Sequence, residues 1–172
     1  MVDSTLQDLD DTTQVRAFWI RRAATVVLVL VVAAALFGFL GVRTGEVSAS
    51  ESGYDLSVRY PEIARGGLDT PWEVTVHNDQ GFAKELTIAV SGDYFELFET
   101  QGFHPEPSDS TRDATMLYLT FTAPQGDTFV VSYDAYVQPS SQRGAAATVA
   151  VVESPEHPDP LVEVQYRTRL SP

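Results

Sequence analysis

The chain has no cysteine among its 172 residues, which removes disulfides, thiolate metal sites and cysteine nucleophiles. An extracytoplasmic domain built from it must stand on its hydrophobic core alone, and a segment of ~120 residues can bury roughly two thirds of its unfolded surface. Lysine is nearly missing too: Lys84 stands against ten arginines, and with the many Ala and Val this usage points to a high-GC bacterial source. The three histidines, His77, His104 and His157, are too far apart for an HxxxH or HExxH pair. Two methionines, Met1 and Met116, build no soft metal site. The sequence has no GxSxG elbow, no glycine-rich phosphate loop and no DxDxDG calcium loop. Asp93, Glu96 and Glu99, or Glu153, Glu156 and Asp159, could offer oxygen ligands to calcium, but without the loop that would order them. The expectation is a chain with no metal, no cofactor, no catalytic residue and no enzymatic activity.

What is present is unevenly distributed. The net charge is -13, and residues 44–172 carry 20 acidic against 7 basic side chains. A field of that sign repels nucleic acid and anionic lipid headgroups, so neither is expected as a ligand of the domain. Residues 23–42, AATVVLVLVVAAALFGFLGV, hold no charge at all. Twenty helical residues rise ~30 Å, the thickness of a bilayer's hydrocarbon layer. Within lipid a single segment satisfies its backbone groups only as a helix. Arg16, Arg21 and Arg22 precede this run and Arg43 alone adjoins its other end. The excess of basic residues places the N-terminus in the cytoplasm. The expected organisation is a short cytoplasmic tail over 1–22, a transmembrane helix over 23–42, a polar linker over 43–52 and an extracytoplasmic domain over 53–172, in the plasma membrane. A signal peptide cleaved after Ala49 is the rival reading, since Val47-Ser48-Ala49 meets the small-residue rule. Ala34, Gly38, Gly41 and Gly45 recur at spacings of four, three and four, which would line them on one helix face for close packing against another helix.

From Tyr54 onward the hydrophobic period is two, the spacing of half-buried strands. Tyr54, Leu56, Val58 and Tyr60 form one set, Trp72, Val74 and Val76 a second, and Leu86, Ile88 and Val90 a third. Leu117, Leu119 and Phe121 follow, then Phe129 to Val137 at alternate positions, then Val149 and Val151, then Val162, Val164 and Tyr166. Turn chemistry separates them, as in Asn78-Asp79-Gln80-Gly81 and Pro124-Gln125-Gly126-Asp127. Seven or eight such strands predict an all-β domain, an antiparallel Ig-like β-sandwich. The stretch PWEVTVHNDQGFAKELTIAV resembles the second and third strands of bacterial Ig-like domains of the CARDB and NEW3 kind. FTAPQGDTFVVSYDAYV resembles the turn and sixth strand of fibronectin-III-like modules. The resemblance implies a sandwich and carries no chemistry.

One stretch breaks the alternation: GDYFELFETQGFHPEP, residues 92–107. It reads either as a segment folded over the end of the sandwich or as an exposed aromatic anchor for a partner protein, with Tyr94, Phe98 and Phe103 as the contact residues. The expected function is a non-enzymatic accessory or interaction subunit of a bacterial membrane complex, whose partners are the lipid bilayer and another membrane protein. Self-association is compatible with this reading. The alternative is a membrane-tethered domain that binds an envelope glycan or a cation.

Overall fold

The computed structural model describes residues 4–36, 42–82, 84–99, 102–122 and 124–171, with side chains from residue 14 onward. The chain divides into two compact units, Met1–Gly41 and Val42–Pro172.

The first unit is a helix, α1, spanning Ser4–Leu36. It begins well inside the segment expected to be a tail. Residues 4–22 contain neither proline nor glycine, and once an apolar stretch has nucleated a helix, each added residue gains a backbone hydrogen bond at little cost. The Thr25 hydroxyl donates to the Arg21 carbonyl at 2.9 Å, satisfying itself within the helix. The Arg22 guanidinium lies 4.5 Å from the centre of the Phe18 ring. Within α1, Gln14–Leu36 is long and apolar enough to span a membrane, and none of it is buried.

The second unit is all-β. Its strands are β1 (Arg43–Glu51), β2 (Tyr54–Ala64), β3 (Asp69–His77), β4 (Glu85–Ser91), β5 (Phe103–His104), β6 (Asp109–Arg112), β7 (Met116–Thr122), β8 (Thr128–Tyr136), β9 (Ala146–Ser154), β10 (His157–Arg167) and β11 (Arg169–Leu170). One sheet runs β1–β2–β3–β8–β5 with β11 beside β2, and the other runs β10–β9–β4–β7–β6. All pairings are antiparallel except β11 with β2. The sheets share one core, formed by the alternate residues read from the sequence: Leu56 and Val58, Trp72 to Val76, Leu86 to Val90, Leu119 and Phe121, Phe129 to Val137, Val149 and Val151, Val162 to Tyr166. Burying each such side chain contributes on the order of 1.5–3 kcal/mol, before chain entropy is set against it.

The linker expected over 43–52 is strand β1 instead. Its nine residues pair with β2 from Arg43 opposite Ile63 to Glu51 opposite Tyr54. Ser52 and Gly53, at φ 53° and 82°, close the hairpin. Positive φ at both central residues is the type I′ geometry whose twist matches the flanking strands. β2 runs through Pro61, and the ladder shifts register next to it. β10 begins inside the proline-rich stretch and shows two register irregularities there. It is an edge strand, where missing N–H groups are tolerated.

Candidate interaction surfaces

The aromatic stretch was the prime candidate from sequence, and the structure turns it inward. Residues Gly92–Leu97 form a 3₁₀ helix, after which Phe98 is extended and donates its N–H to the Phe95 carbonyl at 3.1 Å. In such a turn residues three apart fall on one side, which aligns Tyr94 with Leu97, and the extended Phe98 turns back toward the same core. Tyr94, Leu97 and Phe98 all point at the core, while Asp93 and Glu96 face water. Tyr94 is 0% exposed and Phe98 2%. Phe103, in β5, is half-buried against Trp72, Phe95 and Tyr133. The segment is stitched to β8 and the loop after it, with Glu99 N–H to Tyr136 O at 2.9 Å, Gln138 N–H to Leu97 O at 2.9 Å and Gln138 Nε2 to Phe98 O at 2.8 Å. Tyr94 and Phe98 thus form a lid on the core, with Phe103 half-buried beside them.

Beneath this lid lies a buried polar relay. Trp72 Nε1 donates to the Tyr166 hydroxyl at 2.7 Å, and the hydroxyls of Tyr94 and Thr168 lie 2.8 Å apart. Tyr60 stacks on Tyr166 with ring centres 4.4 Å apart. Burial pushes the hydroxyls of both Tyr94 and Tyr166 well above the ordinary tyrosine range. These groups hold the two sheets together and reach no cleft.

The small-residue stripe does not survive as one surface. Ala34 is on α1, Gly38 and Gly41 lie outside the described residues, and Gly45 is in β1. Gly45 has a different reason to be glycine: it pairs with Tyr60, whose ring would lie 2.9 Å from a Cβ added there.

Asp93 and Glu96, considered as calcium ligands, are held by Arg112, with its Nη2 2.8 Å from Asp93 Oδ1 and 3.9 Å from Glu96 Oε1. A guanidinium already supplies the cation. Among the described residues no group of three His, Asp or Glu side chains is placed to hold a metal ion. His77, on the outward side of β3, has its ring nitrogens 3.0 Å from Thr128 Oγ1 and 3.0 Å from Asp79 Oδ1, with Asp127 at 4.0 Å. The hydrogen bond to Asp79 raises its pKa, with Asp127 and Asp55 adding to the effect.

Two surface features had no sequence forecast. Ala89, Tyr118, Ala150 and Val152 form a second buried cluster, separate from the main core. By strand alternation it lies on the face of the second sheet turned away from that core, and the Tyr118 hydroxyl is tied down by Asp113 Oδ2 at 2.9 Å. The other feature is a set of exposed arginines at one end of the first sheet. Ile63 has Arg43 opposite it on one side and Arg169 on the other. Arg65 follows at the end of β2, Arg167 ends β10, and Arg143 precedes Gly144, whose α-carbon abuts the backbone of Thr168.

No family model matches the chain, and no curated protein matches it. The resemblance to CARDB and NEW3 modules thus gains no support from sequence comparison. Among solved structures, one reported as "AvmM Catalyzes Macrocyclization in Alchivemycin A Biosynthesis" matches over 76% of this chain and 89% of that one, at 10% identity and a TM-score of 0.36. That protein is a catalyst, and the expectation that this chain has no enzymatic activity is withdrawn accordingly. At such an identity and TM-score the match carries no reaction over to this chain.

Proposed function

We propose that the chain is a single-pass membrane protein whose helix holds an Ig-like domain on the outer face of the plasma membrane, where the domain serves a membrane complex as an interaction subunit. The observation that carries this reading is that β1, the strand that follows the apolar segment in sequence, is a structural member of the domain. Cleavage after Ala49 would remove seven of the nine residues of β1 and expose the edge of β2 along Leu56 and Val58. A retained helix keeps the sheet whole. Among the described residues none of Gln14–Leu36 is buried, and lipid would supply an apolar surround. Arg16, Arg21 and Arg22 against Arg43 favour a cytoplasmic N-terminus.

The order of the strands supports the Ig-like reading. β2, β3 and β8 lie side by side as strands A, B and E do in immunoglobulin domains, while β4, β9 and β10 match C, F and G. With Tyr94 and Phe98 buried and Phe103 half-buried, a partner is met by the sheet faces or the loop ends.

The test is extraction of membranes with alkaline carbonate, followed by mass measurement of the mature chain and protease treatment of intact spheroplasts. The full-length mass stays with the membrane, and external protease removes the domain while sparing an N-terminal tag. A mature chain beginning at Ser50, or one released by carbonate, would overturn the reading.

A further inference from the structure

The net charge of the domain hides a polarity along its length. Arg43, Arg65, Arg143, Arg167 and Arg169 are all exposed, and among the described residues none has a carboxylate within ion-pairing distance. They converge on one end, because Ile63 and Ala64 pair with Arg43 on one side and with Arg169 and Leu170 on the other. Arg167 lies opposite Ala146. The acidic residues of this end are Glu62, Asp69, Glu99, Asp113 and Asp134, besides Asp93 and Glu96, which Arg112 already engages. At the opposite end, around the Ser52-Gly53 hairpin, His77 and the β9–β10 turn, stand Glu51, Asp55, Asp79, Glu85, Asp127, Glu153, Glu156 and Asp159, with Lys84 the one lysine.

We propose that the arginine-bearing end of the domain docks on the anionic headgroups of the bilayer that holds the helix. This rests on the membrane-anchor reading above. Two physical facts favour it. First, β2 from Tyr54 to Ile63 spans about 30 Å at ~3.3 Å per residue, while charges in physiological salt are screened over about 8 Å. The distal carboxylates therefore do not oppose the approach of the near end, and an argument from the net charge of -13 averages over a distance the field does not cover. Second, the six residues 37–42 reach at most about 20 Å when extended. They hold Arg43 near the surface at an effective headgroup concentration that no diffusing acidic protein matches. Arginine's planar fork suits lipid phosphates, taking two oxygens at once.

The chain's lack of cysteine makes the experiment clean, since an introduced thiol is the one label site. Gln142→Cys marks the arginine end and Gln80→Cys the acidic end, each in the full-length chain. Each is labelled with a donor dye and reconstituted in nanodiscs carrying acceptor-labelled headgroups. One set of discs is phosphatidylcholine and the other phosphatidylcholine with phosphatidylglycerol in equal parts. Docking raises energy transfer from position 142 at least about twofold in the anionic discs, leaves position 80 unchanged and is reversed by molar salt. Combining Arg65→Gln, Arg143→Gln and Arg169→Gln abolishes the difference; if that variant unfolds, the salt titration of the unaltered arginines decides. Equal transfer in both discs from a chain that resists carbonate overturns the docking and leaves the anchor standing. Equal transfer together with saturable binding of heparin overturns it in favour of a soluble acidic polymer. A chain that carbonate removes from both discs sinks the anchor and the docking together.

Discussion

Trp72 Nε1 donates to the Tyr166 hydroxyl at 2.7 Å, a bond between β3 of one sheet and β10 of the other, with both residues buried in the shared core. The partners are 94 residues apart in sequence, so the bond fixes how β3 and β10 face each other. A buried indole N–H without an acceptor is costly, which makes the pair informative by substitution.

Trp72→Phe and Tyr166→Phe are each expected to lower stability by about 1–3 kcal/mol. Because each orphans or frees the same partner, the double variant loses less than the sum of the two. Urea unfolding of all four chains measures this, read at unchanged m-value. Strict additivity would show that the bond contributes nothing beyond packing.

Alkaline pH should weaken the domain through Tyr94 and Tyr166. Burial, opposed only in part by hydrogen bonds, raises both hydroxyls above their unfolded value of about 10. Above that pH the unfolded chain releases protons that the folded chain keeps, so stability is fully present below pH about 10 and falls as pH rises beyond it. The phenolate absorbance band should show two tyrosines that ionise only as the fold is lost. Ionisation of every tyrosine while the domain stays folded would contradict the buried relay.

Two glycines separate packing from chance. A Cβ on Gly144 would overlap the Thr168 carbonyl oxygen and crowd Arg169, whereas one on Gly102 would meet nothing within 4 Å. Gly144→Ala should cost at least about 1–3 kcal/mol, because backbone must move to admit it. Gly102→Ala should change stability by less than about 0.5 kcal/mol. Thermal melts of the two variants side by side test the contrast.

The inward sets of the long strands were legible because period-two alternation is a direct imprint of a half-buried sheet. Leu56 and Val58, Val74 and Val76, Ile88 and Val90 all reach the core as read. β1 was missed for a local reason. Its inward residues are Gly45, Val47 and Ala49, small side chains that look like a polar linker, although the Ser52-Gly53 dipeptide is a turn signal and alternation around Val47 and Ala49 was there to be seen. The aromatic stretch left two readings open because it breaks the period of two; the 3₁₀ turn, which stacks Leu97 over Tyr94, decides for a segment folded onto the core. The second cluster on the outward face needed tertiary information, since Ala89 and Ala150 carry too little hydrophobic signal to announce a buried face. Charge polarity was illegible in principle. Arg43, Arg143 and Arg169 are 126 residues apart at their extremes, and only the pairing of both chain ends with β2 brings them together.

That same pairing sets an order of assembly. β11 lies parallel to Ile63 and Ala64, and Ser171 N–H donates to the Ala64 carbonyl at 2.8 Å. The β1–β2 hairpin can zip as soon as it is synthesised, because its contacts are close in sequence and cost little loop closure. β3 covers the other flank of β2 only from Asp55 to Arg59, so that flank stays open at Ile63 and Ala64 until Arg169 and Leu170 emerge. A nascent chain therefore carries an unsealed seam for most of its synthesis, and translation stalled shortly before Arg169 leaves a strand edge available to the wrong neighbour.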